Sequence, residues 1–370
     1  MNFHAAMPSA RLLGVGTAVP PHQLPQDMVK IVARRVLGDR YTDFDRLTKS
    51  FDDAGIDNRY SVVPFEWFEE SHDWPSRTKA YLEGATALFI DAAQQALDAA
   101  GWRADEIDTI VTVSSTGIAT PTLDARAMQT MAFRADVQRV PVFGLGCAGG
   151  VTGLALAARL AAALPGSKVL LVAVETCTLS FRADRLQKAD IIATVLFGDG
   201  AAAACVSTEG VDRPMLGQGV EHTWADTLPI MGWDVDPDGF GVVFDRSIPE
   251  FVKQHMADAV ANSLETLGLK QAELSRLICH PGGAKVVEAI ELALHLEQGV
   301  LDHERAVLRD YGNMSAPTAL FVLKRVLASD PTGTMLMTAL GPGFTAPVLP
   351  IRFSSPWTRR RSLPCCSSAS

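Results

Sequence analysis

The sequence predicts an α/β sandwich built from two copies of one unit. Amphipathic or Ala-rich stretches alternate with short apolar runs across Gly turns, the pattern of helices laid on a sheet. Two consecutive helix–strand units recur at one ungapped offset of 167 residues, which carries Leu97 onto Leu264. The chain of 370 residues, 48% hydrophobic and 20% charged, is also long and apolar enough for more than one ordinary core.

Taken in order, the first strong element is a helix over 81–100. Its apolar stripe is Leu88, Phe89, Ala92, Ala96 and Leu97, and Gly101 stops it. Glu106 leads into a strand over 107–113. A second helix over 151–164 ends at Pro165-Gly166, before a strand over 169–174. The Gly- and Pro-rich stretch 210–233 reads as a crossover. The pattern then repeats. A helix over 256–267 is stopped by Gly268 and followed by Glu273 and a strand over 274–279; a helix over 318–331 is followed by Gly333 and a strand over 336–341. These units divide the chain into halves at 1–210 and 211–353. The tail 354–370 holds three Arg, six Ser and no acid, a disordered composition.

Composition excludes several classes. With 33 Lys and Arg against 42 Asp and Glu, the net charge of −9 opposes nucleic-acid binding, which needs a basic face. The six cysteines include no C-x-x-C pair, so neither a zinc site nor a disulfide framework is expected, and cytosolic thiols fit. The apolar run 151–164 is interrupted by Arg159, so no stable membrane insertion is expected; the N-terminal residues show no export signal.

The sharpest local feature is Gly144-Leu145-Gly146-Cys147-Ala148-Gly149-Gly150 ahead of a nearly uncharged helix. Flanking glycines allow a tight strand-to-helix elbow, and the helix N-terminus favours thiolate, which makes Cys147 a candidate nucleophile. A lone cysteine is more often a small core residue, as Cys205 is expected to be. A nucleophilic thiol needs a base or cation, and His280 follows a strand in His-Pro-Gly-Gly. Asn313, in Tyr-Gly-Asn-Met-Ser, opens the helix equivalent to the one headed by Cys147. It is either an N-cap or an amide donor to a developing oxyanion. Duplication places these residues where the two halves meet.

Together these segments resemble the type III polyketide synthases, the chalcone synthase-like enzymes of the thiolase superfamily. The likeness runs over about residues 11–353 through GVGTAVPPH, GCAGG, LFGDGAAA, CHPGG, YGNMSAPT and ALGPGF. The resemblance implies a thiolase-like duplicated αβαβα sandwich, and a catalytic triad of Cys147, His280 and Asn313. It implies Phe197 as a gatekeeper, with Val242 at the second gatekeeper position where plant members have Phe. Thr116, Cys177, Ser180, Ser315 and the Gly341-Pro342-Gly343 loop are then walls of the pocket. Thr120 is the residue that reaches a partner's cavity in a homodimer, and Arg46 and Lys49 are candidates for the coenzyme A phosphates.

The implied chemistry uses coenzyme A thioesters as free substrates and no metal, flavin or nicotinamide. A Cys147 thiolate paired with His280 imidazolium takes an acyl starter from acyl-CoA, and malonyl-CoA extends it. His-Pro-Gly-Gly stands where ketoacyl synthases III carry His-Gln-Ala-Asn, which favours the polyketide branch. The ETCTLSF context of Cys177 resembles alkylpyrone and alkylresorcinol synthases, so a long fatty acyl starter is expected. The alternatives are a small-phenolic synthase using malonyl-CoA only, a ketoacyl-carrier-protein synthase III, and a silent acyl-binding protein whose Arg-rich tail touches membranes. The expected location is the cytoplasm.

Overall fold

The computed structural model describes residues 8–38, 44–182 and 188–353; the 354–370 tail lies outside them. The first half runs β1 (Arg11–Ala18), β2 (His22–Pro25), α1 (Gln26–Leu37), α2 (Phe44–Asp52), β3 (Asn58–Ser61), α3 (Trp74–Ala100), β4 (Thr109–Val113), α4 (Leu123–Ala127) and β5 (Gln138–Val142). It continues with α5 (Gly149–Ala163), β6 (Val169–Thr176), α6 (Lys188–Leu196) and β7 (Asp199–Ser207). The second half holds β8 (Met215–Leu216), β9 (Val220–Thr223), β10 (Met231–Asp236), β11 (Gly239–Phe244), α7 (Ile248–Thr266), β12 (Leu274–Cys279) and α8 (Ala284–Ala293). It ends with α9 (Asp302–Tyr311), α10 (Ala316–Leu327), β13 (Gly333–Thr338) and β14 (Thr345–Phe353).

Ten of the fourteen described strands build one sheet in the order β12-β13-β14-β8-β1-β7-β6-β4-β5, with β9 beside β14; β2 pairs with β3 and β10 with β11 in two separate two-stranded sheets. Three apolar clusters separate its layers. One packs α3 (Leu88, Phe89, Leu97) on the outer face of the first-half strands; one packs α7 and α8 (Val252, Val260, Val287) on the second-half strands. Between them lies a third, where α5 (Val151, Leu154) meets α10 (Leu320, Leu323). The result is an α-β-α-β-α sandwich whose centre is the α5–α10 pair. Val151 and Leu154 are fully buried, each stabilising the fold by roughly 1.5–3 kcal/mol.

The duplication is visible in detail. Gly101 and Gly268 close their helices at φ 70° and 65°. In the turns that follow, the Arg103 N–H donates to Glu106 Oε2 at 2.8 Å and the Lys270 N–H to Glu273 Oε2 at 2.9 Å. Both turns feed parallel pairs, β4 with β6 and β12 with β13. A bulge between Leu274 and Arg276 shifts the second pair's register, and β13 begins at Gly333 rather than at the expected 336 because Gly333 and Thr334 already pair with Phe353 and Arg352 of β14.

Other expectations need correction too. The last helix stops at Leu327, because Asp330 takes a positive φ of 50° before Pro331. The expected crossover 210–233 carries β8 and β9, and β8 pairs with both β1 and β14, stitching the two halves together. Gly146–Ala163 is a helical stretch long and apolar enough to cross a membrane; 67% of it is buried, since it is the sandwich's central helix and the turn before it.

Candidate active site

Cys147 lies in a 3₁₀ turn, Gly146–Ala148, that runs directly into α5. The turn needs Gly146 at φ 46°, and a Cβ there would lie 2.6 Å from Pro342 Cδ. The loop Gly341-Pro342-Gly343 is thus packed against the cysteine turn, closed by reciprocal backbone hydrogen bonds between Gly341 and Thr345 at 3.0 and 3.1 Å. Ser115 holds the turn from the other side: its Oγ accepts from the N–H groups of Gly144 and Gly146, each at 3.2 Å.

Behind Ser115 stands a buried carboxyl. Glu175 Oε2 accepts from the Ser115 N–H at 2.9 Å and from Thr116 Oγ1 at 2.8 Å, while Oε1 has no partner among the described residues. Burial pushes the Glu175 carboxyl up to about 8, against the downward pull of the Ser115 and Thr116 donors. A lone acid closing the uncharged run VLLVAVET was the available sequence signal for it. Ser115 had none.

Asn313 is the hub of the site. Its Nδ2 donates to the Gly282 carbonyl beside His280 at 3.2 Å, and its Oδ1 accepts from the Ser315 N–H at 2.8 Å. Its backbone N–H donates to Leu196 O at 2.9 Å, and its carbonyl accepts from the Gly198 N–H at 3.0 Å, on both sides of Phe197. Asn313 therefore is not an N-cap. Ser315 precedes α10 instead, in the left-handed region at φ 59°, a conformation such residues adopt only when their surroundings impose it.

The polar side chains of Ser315 and Asn313 act to lower the Cys147 thiol. Burial nevertheless outweighs them and pushes the thiol up to about 11, with the nearby Glu175 adding to the rise. His280 is 4% exposed, its ring nitrogens have no partner among the described residues, and burial lowers it to about 3. Where a thiolate–imidazolium pair is expected, desolvation opposes each charged form taken by itself.

Three cavities are lined by residues near these in the chain, though not by Cys147, His280 or Asn313 themselves. A mouth of about 280 Å³ is lined by Leu196, Phe244, Gly282 and Gly283, with Arg246 and Lys285 at its rim. Past Phe197 is an apolar cavity of about 50 Å³ bounded by Leu24, Val32, Phe65, Phe68, Cys177 and Phe181. A third, of about 20 Å³, is walled by Thr116, Gly117, Ser180, Trp233 and Phe240. Cys177 is buried and its thiol is held well above the ordinary value by desolvation, as suits a wall residue. Ser180 Oγ donates to the Cys177 carbonyl at 2.7 Å.

Two assignments change. Val242 is buried on β11, but the ring that meets Phe197 is Phe244, two residues on, edge-to-face with centroids 6.4 Å apart. Phe197 and Phe244 thus form an aromatic pair, while Val242, given the second gatekeeper position by the resemblance, is their buried neighbour on β11. Lys49 is exposed on α2 and does not line the mouth, whereas its neighbours Ser50 and Asp53 do. The Arg46 side chain lies outside the described residues. Thr120 is exposed, near the exposed apolar Ile118 and Phe143.

Comparison with known proteins agrees with this layout. Residues 2–210 match the model of the chalcone and stilbene synthase N-terminal domain, and residues 229–352 match that of the C-terminal domain. The 1,3,6,8-tetrahydroxynaphthalene synthase of Streptomyces peucetius subsp. caesius is 38% identical over 348 residues, 92% of each chain. A putative chalcone synthase of Bacillus subtilis is 33% identical over 92% of this chain and 98% of its own. The crystal structure of 1,3,6,8-tetrahydroxynaphthalene synthase from Streptomyces coelicolor superposes with a TM-score of 0.88 at 27% identity, covering 93% of this chain and 99% of that one. A duplicated sandwich with its cysteine turn between the halves, matched along both halves by one family, makes this chain a member of the chalcone and stilbene synthases, the acyl-transferring type III polyketide synthases.

Proposed function

We propose that the protein extends a fatty acyl-CoA starter with malonyl-CoA and cyclises the chain to an alkylpyrone or alkylresorcinol, using Cys147, His280 and Asn313. The observation that carries this reading is the apolar cavity beyond Phe197: apart from Arg59, its lining offers a hydrocarbon chain no charged neighbour. The small volume of that cavity, about 50 Å³, and the tetrahydroxynaphthalene synthase relatives favour a second reading, a small phenolic made from malonyl-CoA alone.

The residues supply the steps as follows. His280, neutral and with no ring partner among the described residues, takes the Cys147 proton as the sulfur attacks the acyl-CoA carbonyl; the coenzyme A thiolate leaves with that proton. The acyl group remains on Cys147 as a thioester. Malonyl-CoA then loses CO2, and its electron pair moves onto the thioester oxygen, where His280 and the Asn313 amide donate. Donors fixed in a buried site act most strongly on that developing charge. The enolate carbon attacks the Cys147 thioester and releases the thiolate, which takes a proton from solvent to restore the starting thiol; the chain, two carbons longer, now sits on the coenzyme A that carried the malonyl group and can be loaded onto Cys147 again. These steps call on no metal, flavin or nicotinamide.

Arg246 and Lys285, both exposed at the mouth, take the coenzyme A phosphates in this reading, in place of Arg46 and Lys49. The protein acts in the cytoplasm as a homodimer. Support for the dimer comes from β5, which pairs only with β4 among the described strands, next to exposed Ile118, Thr120 and Phe143.

Purified protein given labelled malonyl-CoA, with and without a series of fatty acyl-CoAs, separates the readings by product mass. Products that carry the starter's alkyl chain support the first. Full-rate product without any starter overturns it in favour of the second.

A further inference from the structure

Arg59, on β3, is 2% exposed and has no part in the steps above. Its Nη1 donates to Thr194 O at 2.6 Å and to Phe197 O at 2.9 Å, and its Nη2 donates to Gln26 Oε1 at 2.8 Å. Gln26 Nε2 in turn donates to Val195 O at 3.1 Å. These carbonyls close α6, where the last turn has no intrahelical donors and carries partial negative charge. Two buried side chains therefore cap that end.

The capped segment is the one to which Asn313 is tied, through Leu196 O and the Gly198 N–H. A second contact is independent of those hydrogen bonds. A Cβ on Gly312 would lie 2.7 Å from Arg59 Cγ, and one on Gly198 would lie 3.3 Å from Arg59 Cβ, so the stem of Arg59 fills the space against both segments, the one after α6 and the one that leads into Asn313. Asp199, buried next in the chain and accepting from Val62 and Thr178, is the charge that Arg59 faces.

We propose that Arg59, backed by Gln26, is a positioning residue: it fixes residues 194–199 and thereby the backbone that aims the Asn313 amide and the Phe197 ring. A cation capable of three directed hydrogen bonds is needed there, because three carbonyl and amide oxygens converge on it. The inference rests on reading Asn313 as the donor to the malonyl thioester oxygen. It predicts that loss of Arg59 harms decarboxylation and spares loading of Cys147.

The test compares Arg59→Lys, Gln26→Met and Asn313→Ala in the full chain. Two rates are measured: acetyl adduct on Cys147 from acetyl-CoA, whose acyl group is too short to fill the cavity that Arg59 lines, by intact mass, and labelled CO2 released from malonyl-CoA. Arg59→Lys keeps the charge beside Asp199 but not the fork, and CO2 release falls roughly 10–100-fold while acylation stays within about twofold. Gln26→Met shifts the same ratio by about fivefold and decides the matter if Arg59→Lys does not fold. Asn313→Ala lowers CO2 release by about 10²–10³. Equal losses of both rates in the Arg59 and Gln26 variants, or no loss of either, overturn the positioning role and leave the Asn313 reading standing. Undiminished CO2 release in Asn313→Ala overturns that reading and this inference with it.

Discussion

Replacing Gly146 by Ala tests whether the cysteine turn is built as described. Residue 146 sits at φ 46°, where an L side chain costs ~1–2 kcal/mol, and its new Cβ would lie 2.6 Å from Pro342 Cδ and 2.8 Å from Cγ. Both atoms belong to a ring that cannot swing away, so the overlap adds ~1–3 kcal/mol. The expected loss is about 2–5 kcal/mol. At ~2.1 cal/mol/K of unfolding entropy per residue, that lowers Tm by roughly 3–6 °C if the whole chain unfolds together. Gly268→Ala is the control: φ is 65° but nothing among the described residues lies within 4 Å of its Cβ, so only the backbone cost applies. Calorimetry of both variants, with iodoacetamide alkylation of Cys147 as the functional readout, separates overlap from backbone strain. Pro342→Ala in the Gly146→Ala background restores ~1–3 kcal/mol, because the two residues are coupled by contact. Equal Tm values for Gly146→Ala and Gly268→Ala, with unchanged alkylation, would refute the proposed seating of the turn on the 341–343 loop.

Two further outcomes follow from charge. Glu175 titrates at about 8 in the fold against 4.5 in the unfolded chain, so between those values the unfolded chain releases a proton that the fold keeps. Stability therefore falls as pH rises from about 4.5 to about 8, by up to ~4–5 kcal/mol, and Glu175→Gln removes that penalty. Thermal melts should show the variant gaining on the parent at pH 9 and not at pH 4.5; a constant difference would contradict the assigned burial. Arg246→Ala and Lys285→Ala each raise KM for the coenzyme A substrate about threefold, as exposed cations do, with kcat unchanged and the effect fading in salt. Steady-state kinetics at two ionic strengths check this, and an unaltered KM removes both residues from the phosphate site.

Much of this was legible in the sequence because the signals were local. Gly101 and Gly268 stop their helices by φ alone, and the 167-residue offset reports a repeat in the chain itself. The Gly cage of Cys147, the turn after β12 and the start of α10 each declare themselves within a few residues. What escaped depends on distance in sequence. Ser115 holds the cysteine turn from 29 and 31 residues away, and Arg59 acts on carbonyls 135 and 138 residues along the chain. Phe244 was missed because the resemblance assigns a position along the chain, and position does not say which ring meets Phe197. Burial was also invisible. A helix N-terminus suggested a thiolate, yet the packing that buries Cys147 and His280 opposes charge on both. The bulge at Ser275 and the two strands within 210–233 are tertiary effects of the same kind.

The most direct test of the account is to locate the acyl group on the protein. After a brief incubation with a fatty acyl-CoA and acid quench, peptide mass mapping should find the acyl mass on Cys147 and leave Cys177, Cys205 and Cys279 unmodified, and Cys147→Ala should abolish it. An adduct on Cys177, or product formed by Cys147→Ala, would contradict the central claim.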